Sequence, residues 1–359
     1  MRAWTTAPFI RSITGMTCTS APFSLSQSPA AMRILVCEYL TAGGLYREPI
    51  PASLAQEALL MRDAMLGAMS GVPGVEILSA HDARLPLPEH VSRCHVLNED
   101  DVPWQVWTSL IAEADLVWLV APESAGALLQ LTELAEASGK ALLSSAGESV
   151  RVAGSKWLTY QQLHSAGVPV VETMRVPHRP GSGSAWVTKP DDGVSCEGAR
   201  YFRDVHALEH WLRHAPADHI VQPYVQGQPA SLTMLCRDGE AWLLTCNQQL
   251  IEFEQGKICY RGGVVNGAAG HWASFDRLAC QVAAAMPGLF GYVGVDLIIG
   301  NDGRLHVLEV NPRLTTSFAG LHAAIHYNPA RLLLDLFYNE AFKLPAGLQR
   351  NRIEINLND

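Results

Sequence analysis

Two apolar runs, 292–299 and 304–310, flank Asn301-Asp302-Gly303. Asp-Gly accepts the left-handed turn that joins two antiparallel strands, so this stretch is predicted as a hairpin. Asp296 interrupts one run and Glu309 the other, and pairing across the turn gathers both with Asn311. Either carboxylate alone fits ordinary alternation with a solvated face. Three convergent oxygen ligands followed by Pro312-Arg313 do not, and they suit a hard cation such as Mg²⁺, which takes carboxylate and amide oxygens. Asp296, Glu309 and Asn311 are therefore the candidate metal ligands.

Around this hairpin the chain divides into two patterns. From Met32 to about Ala146 strands and helices alternate: strand 33–38, helix from an N-cap at Ser53 to Ser70, strand 75–79, helix 104–113, strand 115–120, helix 124–138, strand 140–143. Strands separated by helices imply a parallel sheet in an α/β layer. Gly71 and Gly139 fit left-handed helix ends. Beyond Gly147 comes a helix over 155–166, then short strands and a helix near 204–214. Strands near 219–225, 230–237, 240–251 and 257–265 follow, with a helix over 273–286 and helices near 317–326 and 329–338, an α+β arrangement.

Of 359 residues, 48% are apolar, enough for two or three cores. The net charge of −9 argues against a general nucleic-acid or anionic-membrane partner. No apolar stretch reaches the roughly 18 residues of a membrane span. Eight cysteines without a C-x-x-C pair are expected as free thiols in a reducing, cytoplasmic setting. Residues 1–31 lack Asp and Glu and are rich in Ser and Thr, resembling a transit peptide. The expectation is a disordered extension, or a stretch ahead of a true start at Met32.

Gly294-Val295-Asp296 with Leu308-Glu309-Val310-Asn311-Pro312-Arg313 resembles the metal-binding end of ATP-grasp enzymes such as D-alanine–D-alanine ligase and biotin carboxylase. Ser155-Lys156 resembles the first nucleotide-binding lysine segment of that family. Val187-Thr188-Lys189-Pro190 with Asp192-Gly193-Val194-Ser195-Cys196-Glu197-Gly198 resembles the second lysine and its lid loop. Val221 to Gly227 resembles the adenine-gripping hinge. These segments span roughly 147–326 in the family's order.

The resemblance implies an ATP-grasp fold: a pre-ATP-grasp domain over 32–146, a lid subdomain over 147–220, a large subdomain over 221–345 and a tail over 346–359. It implies ATP contacts from Lys156, Lys189, Gly193, Ser195, Gly198, Gln222, Val225 and Gln228. Lys189 and Arg313 become the catalytic cations, with Mg²⁺, or Mn²⁺ in its place, as cofactor. The implied reaction activates a carboxylate as an acyl phosphate and joins it to an amine, releasing ADP and phosphate. Both partners are small molecules, and a homo-oligomer is compatible with the chain.

Three departures stand out: Ser155 where an aspartate often precedes the first lysine, Gln228-Pro229 where many members carry a ribose-binding acid, and Gly294 where dipeptide ligases have arginine. The opening strand with Glu38 to Gly44 resembles the ATP-grasp group that contains the tyramine–glutamate ligase of methanofuran synthesis. Glu38, Gly43, Gly44 and Arg261 are candidate substrate residues, Glu38 either holding an amine or standing as a strand-end surface acid. The alternative of a different class is a nucleotide-binding regulatory module without turnover; the intact lysine and carboxylate set disfavours it.

Overall fold

The computed structural model describes residues 31–357 except 182, 195, 255 and 256, so the expectations for 1–30 and for Ser195 lie outside the described residues. The first layer is a parallel sheet in the order β3-β2-β1-β4-β5. Its strands are β1 (Met32–Glu38), β2 (Val75–Asp82), β3 (Arg93–Leu97), β4 (Leu116–Val120) and β5 (Ala141–Leu142). Three helices cover it: α1 (Ala52–Ser70), α2 (Pro103–Glu113) and α3 (Ala127–Ala137). The parallel sheet is as the alternating pattern predicts, with β3 added at an edge. Its residues Arg93, His95 and Val96 are exposed, which leaves little apolar signal to find it by.

Two local expectations are corrected. Helix α1 starts after Pro51 rather than at Ser53, and Ser53 makes no cap. Gly71 ends α1 at φ −77°, outside the left-handed region, whereas Gly139 does adopt φ +68°.

The second layer begins with α4 (Gly147–Ala153) and α5 (Lys156–Ser165), then β6 (Met174–Arg175), β7 (Trp186–Pro190), β8 (Arg200–Phe202), α6 (Val205–Leu212) and β9 (His219–Pro223). The long antiparallel strands follow: β10 (Gly227–Arg237), β11 (Glu240–Glu254), β12 (Lys257–Val265), β13 (Gly291–Gly300) and β14 (Leu305–Asn311). Helix α7 (Trp272–Ala285) precedes β13, and α8 (Leu321–Ile325), α9 (Pro329–Tyr338) and β15 (Ile353–Asn356) close the chain. The predicted hairpin forms as β13–β14, with Gly303 at φ +77° in its turn. The segment after 346 is not a bare tail, since β15 pairs with Gly262–Val265 of β12.

Packing joins the layers. Met61, Met65, Leu66 and Met69 of α1 share one core with Ile34 and Val36 of β1 and with Leu332, Leu333 and Leu336 of α9. Each fully buried side chain of this kind stabilises by about 1.5–3 kcal/mol, so the parallel sheet and the C-terminal helices are held as one body. The unit carrying β7 and β9 is different. Among the described residues its buried cluster is Trp186, Leu208, Leu212 and Val221, with Val176, Phe202, Val205 and Trp211 partly buried against it. This is a smaller core than those of the other units, and less buried apolar surface lowers the cost of local opening.

Candidate active site

A deep cleft lies between the sheet portion β7–β9 and the portion β10–β14. At one end Asp296 and Glu309 face each other as cross-strand neighbours. Asp296 accepts from Gln249 Nε2 at 2.9 Å and from Asn311 Nδ2 at 3.5 Å. Glu309 Oε2 lies 3.3 Å from Lys189 Nζ and 3.4 Å from Lys156 Nζ. Burial and then the Glu309 charge push the Asp296 carboxyl well above the usual carboxylate range. Burial would raise Glu309 as well, but Lys156 and Lys189 outweigh it and hold that carboxyl low.

The donor set fits a divalent cation. Two carboxylates crowded enough to raise one of them, together with an amide, are fewer oxygens than a closed protein cage supplies. They match Mg²⁺, which takes its remaining ligands from phosphates and water.

Each flanking residue has a local reason for its place. Ser155 caps α5 by accepting from the Leu158 N–H at 3.1 Å, and its hydroxyl donates to Asp191 at 2.7 Å. The absent aspartate is thus replaced by a working helix cap, and α5 begins at Lys156 with its side chain almost fully buried. Lys156 Nζ also donates to the Gly193 carbonyl at 2.6 Å, tying the first lysine to the loop behind the second. Arg313 is buried against Glu123, with Nη2 to Oε2 at 2.7 Å, and reaches the same end of the cleft.

At the other end lie Val187, Gln222, Val225, Gly227, Ile251 and Ile298, an apolar slot beside hinge backbone. Gln222 is 2% exposed and donates to Thr173 Oγ1 at 3.0 Å, so its side chain shapes the slot. A methyl at Gly227 would stand 2.2 Å from the Ile299 carbonyl oxygen, which is why this position carries no side chain.

Of the expected site residues, the cleft therefore gathers Lys156, Lys189, Gly193, Gln222, Val225, Asp296, Glu309, Asn311 and Arg313. Gly198 sits in the adjoining loop at φ +71° without lining it. Gln228 does not line it: along β10 positions 227, 229 and 231 face the cleft, and strand alternation turns 228 to solvent. Arg261 is displaced for the same reason. Tyr260 faces inward while Arg261 turns away and meets Glu252 at 3.0 Å.

Glu38 is neither surface acid nor cleft residue. It is 4% exposed, and its carboxylate accepts from the backbone N–H groups of Leu40 and Thr41 at the start of a one-turn π-helix that contains Gly43 and Gly44. The loop thus bonds itself instead of opening toward the cleft.

Sequence reasoning missed Glu57 and Met61 of α1, which line the cleft from the parallel-sheet domain, and the polar wall of Tyr260, Thr315, Thr316 and Ser317. The hydroxyl run Thr315-Thr316-Ser317, one residue past Arg313, was a usable signal. Glu57 had none, because one acid on a half-exposed helix looks like any solvated position.

Among the described residues no helix is long and apolar enough to cross a membrane. A pre-ATP-grasp domain model matches residues 75–150 and an ATP-grasp domain model matches 153–317. The chain is 29% identical over 242 residues to a tyramine–L-glutamate ligase of Methanocaldococcus jannaschii, covering 67% of this chain and 68% of that one. It is 26% identical over 291 residues to the protein of the same name in Methanocaldococcus fervens, covering 80% and 89%. A crystal structure of a putative ATP-grasp superfamily protein from Archaeoglobus fulgidus superposes with TM-score 0.67 at 21% identity, covering 91% of this chain and all of that one. Together with the lysine and carboxylate cleft, these matches show that the chain belongs to the ATP-grasp superfamily of ATP-dependent ligases.

Proposed function

We propose that this ligase activates a carboxylate of glutamate with ATP and joins it to a small aromatic amine of the tyramine kind, in one-carbon cofactor synthesis. The observation that carries the chemistry is the Asp296–Glu309 pair with two lysines on Glu309, at one end of a cleft whose other end suits a nucleobase. The named relatives support the substrates. On this reading residues 32–146, 147–220 and 221–345 are the pre-ATP-grasp, lid and large units.

Lys156 and Lys189 exchange Glu309 for phosphate oxygens when the nucleotide enters. Asp296, Glu309 and Asn311 would hold Mg²⁺, or Mn²⁺, which shares the preference for oxygen ligands, and the bound ion would supply neutralisation of phosphate charge. Arg313 stabilises the charge that spreads over the transferring phosphoryl group. The carboxylate attacks the γ-phosphorus and displaces ADP; the amine then attacks the acyl carbon, and the tetrahedral state collapses to the amide with loss of the amine proton and expulsion of phosphate. The lid excludes the water that would otherwise consume the acyl phosphate.

Glu57 lies on the domain opposite the lid and its charge is felt at Arg313, which suits it to hold an amino-acid ammonium. Glu57→Gln is expected to raise KM for glutamate about 10-fold, the worth of one charge-assisted hydrogen bond, with KM for ATP unchanged. Equal rises in both would take Glu57 out of the substrate site.

The direct test is ADP release with Mg-ATP, glutamate and tyramine. ADP and phosphate should appear only when all three substrates are present, with an amide product of matching stoichiometry. AMP and pyrophosphate would remove the acyl-phosphate mechanism, and ATP binding without turnover over a panel of amines and amino acids would favour the regulatory-module alternative.

A further inference from the structure

The loop that follows β4 touches both halves of the reaction end. Glu123 Oε2 accepts from Arg313 Nη2 at 2.7 Å, both side chains being nearly inaccessible to solvent. One residue on, Ser124 Oγ donates to the Asp192 carbonyl at 3.2 Å, and the Ala125 N–H donates to Asp192 Oδ2 at 2.9 Å. Asp192 stands two residues beyond Pro190, whose strand carries Lys189, and next to Gly193, whose carbonyl holds Lys156.

The loop's backbone is unusual. Ala125 and Gly126 are both left-handed, at φ +54° and +68°. A non-glycine residue there is strained and persists when contacts on both sides fix it. Arg313 Nε and Glu123 Oε1 are buried without a hydrogen-bond partner. The pair is therefore clasped by one atom of each, and the guanidinium keeps an unspent donor beside the cleft.

We infer that residues 122–126 form an interdomain tie in which Glu123 is a positioning residue for Arg313, and the Ser124 and Ala125 contacts to Asp192 couple that orientation to the strand end bearing Lys189. The inference rests on the ligase reading for the role of Arg313. A single loop of the parallel-sheet domain then sets the distance between the two cations, Lys189 and Arg313, that must act on one phosphoryl group. A misplacement of about 1 Å at such a point is worth up to 10²-fold in rate.

The test combines a kinetic cycle of Glu123→Gln and Asp192→Ala with amide hydrogen exchange of segments 122–126 and 189–193, with and without Mg-ATP. Glu123→Gln should lower kcat about 30-fold while KM for ATP changes less than about threefold, the split expected of lost transition-state orientation. Combined with Asp192→Ala it should lower kcat by clearly less than the product of the single effects. In the wild type Mg-ATP should protect both segments, and Asp192→Ala should release both. Wild-type kcat in Glu123→Gln, even with reduced thermal stability, would make the ion pair merely structural and overturn the tie, as would multiplicative effects or release confined to 189–193. The exchange arm needs no acceptor substrate: coupled protection in a wild type that turns over no amine or amino acid of the panel would sink the ligase reading and leave the tie standing.

Discussion

Replacing Glu309 with Gln is expected to lower kcat about 10³-fold, the range found when one electrostatic partner of a transferring group is removed. The amide keeps the size and loses the charge that the cation and both lysines share. Without nucleotide, Lys156 and Lys189 are left facing each other near a neutral group, 3.4 and 3.3 Å from where the carboxylate stood. The variant should therefore unfold at lower temperature by itself and gain less from Mg-ATP than the wild type, since ligand stabilisation follows affinity. ADP-release kinetics and a thermal-shift titration read the two effects separately. A variant retaining more than about a tenth of wild-type kcat would remove Glu309 from the reaction centre.

The largest stability effect is expected at Gly262, where Ala should destabilise by about 3 kcal/mol. Gly262 sits in β12 at φ +122°, a conformation closed to L side chains, at an irregularity in the pairing with β11. An added Cβ would also stand 2.1 Å from the Ile355 carbonyl oxygen of β15, a backbone atom that cannot turn aside. Relief requires β15 to leave the sheet. Because Tyr260, two residues earlier, lines the cleft and bonds Thr316 at 3.0 Å, activity should fall with stability. Urea unfolding that matches the wild type would show that β12 accommodates the methyl.

What the sequence disclosed followed the strength of local signals. Asn301-Asp302-Gly303 between apolar runs disclosed the β13–β14 hairpin, whereas the register shift between Asp296 and Leu297 that sets Asp296 opposite Glu309 had no local signal. The alternation of 33–143 disclosed the parallel sheet. The misreadings share a physical origin, which is that facing depends on parity and on distant partners. Gln228 and Arg261 were one residue out of phase with the cleft. Glu38 answered a local need for an acceptor at Leu40 and Thr41 that the Gly-Gly motif did not reveal. Glu57 and Glu123 come to the site, and β15 to the edge of β12, only through tertiary contacts, and no window of sequence contains both partners.

The core shared by α1 and α9 bears on how the chain is made. Asn328, which caps α9, bonds the Ala68 carbonyl of α1 across 260 residues of sequence. On a ribosome adding about 5–20 residues per second, the oily face of Met61, Met65 and Met69 waits on the order of tens of seconds for its cover. The strands of the parallel sheet are thus all synthesised well before the methionine-rich face of α1 receives its α9 cover, so that face stays exposed on the nascent chain.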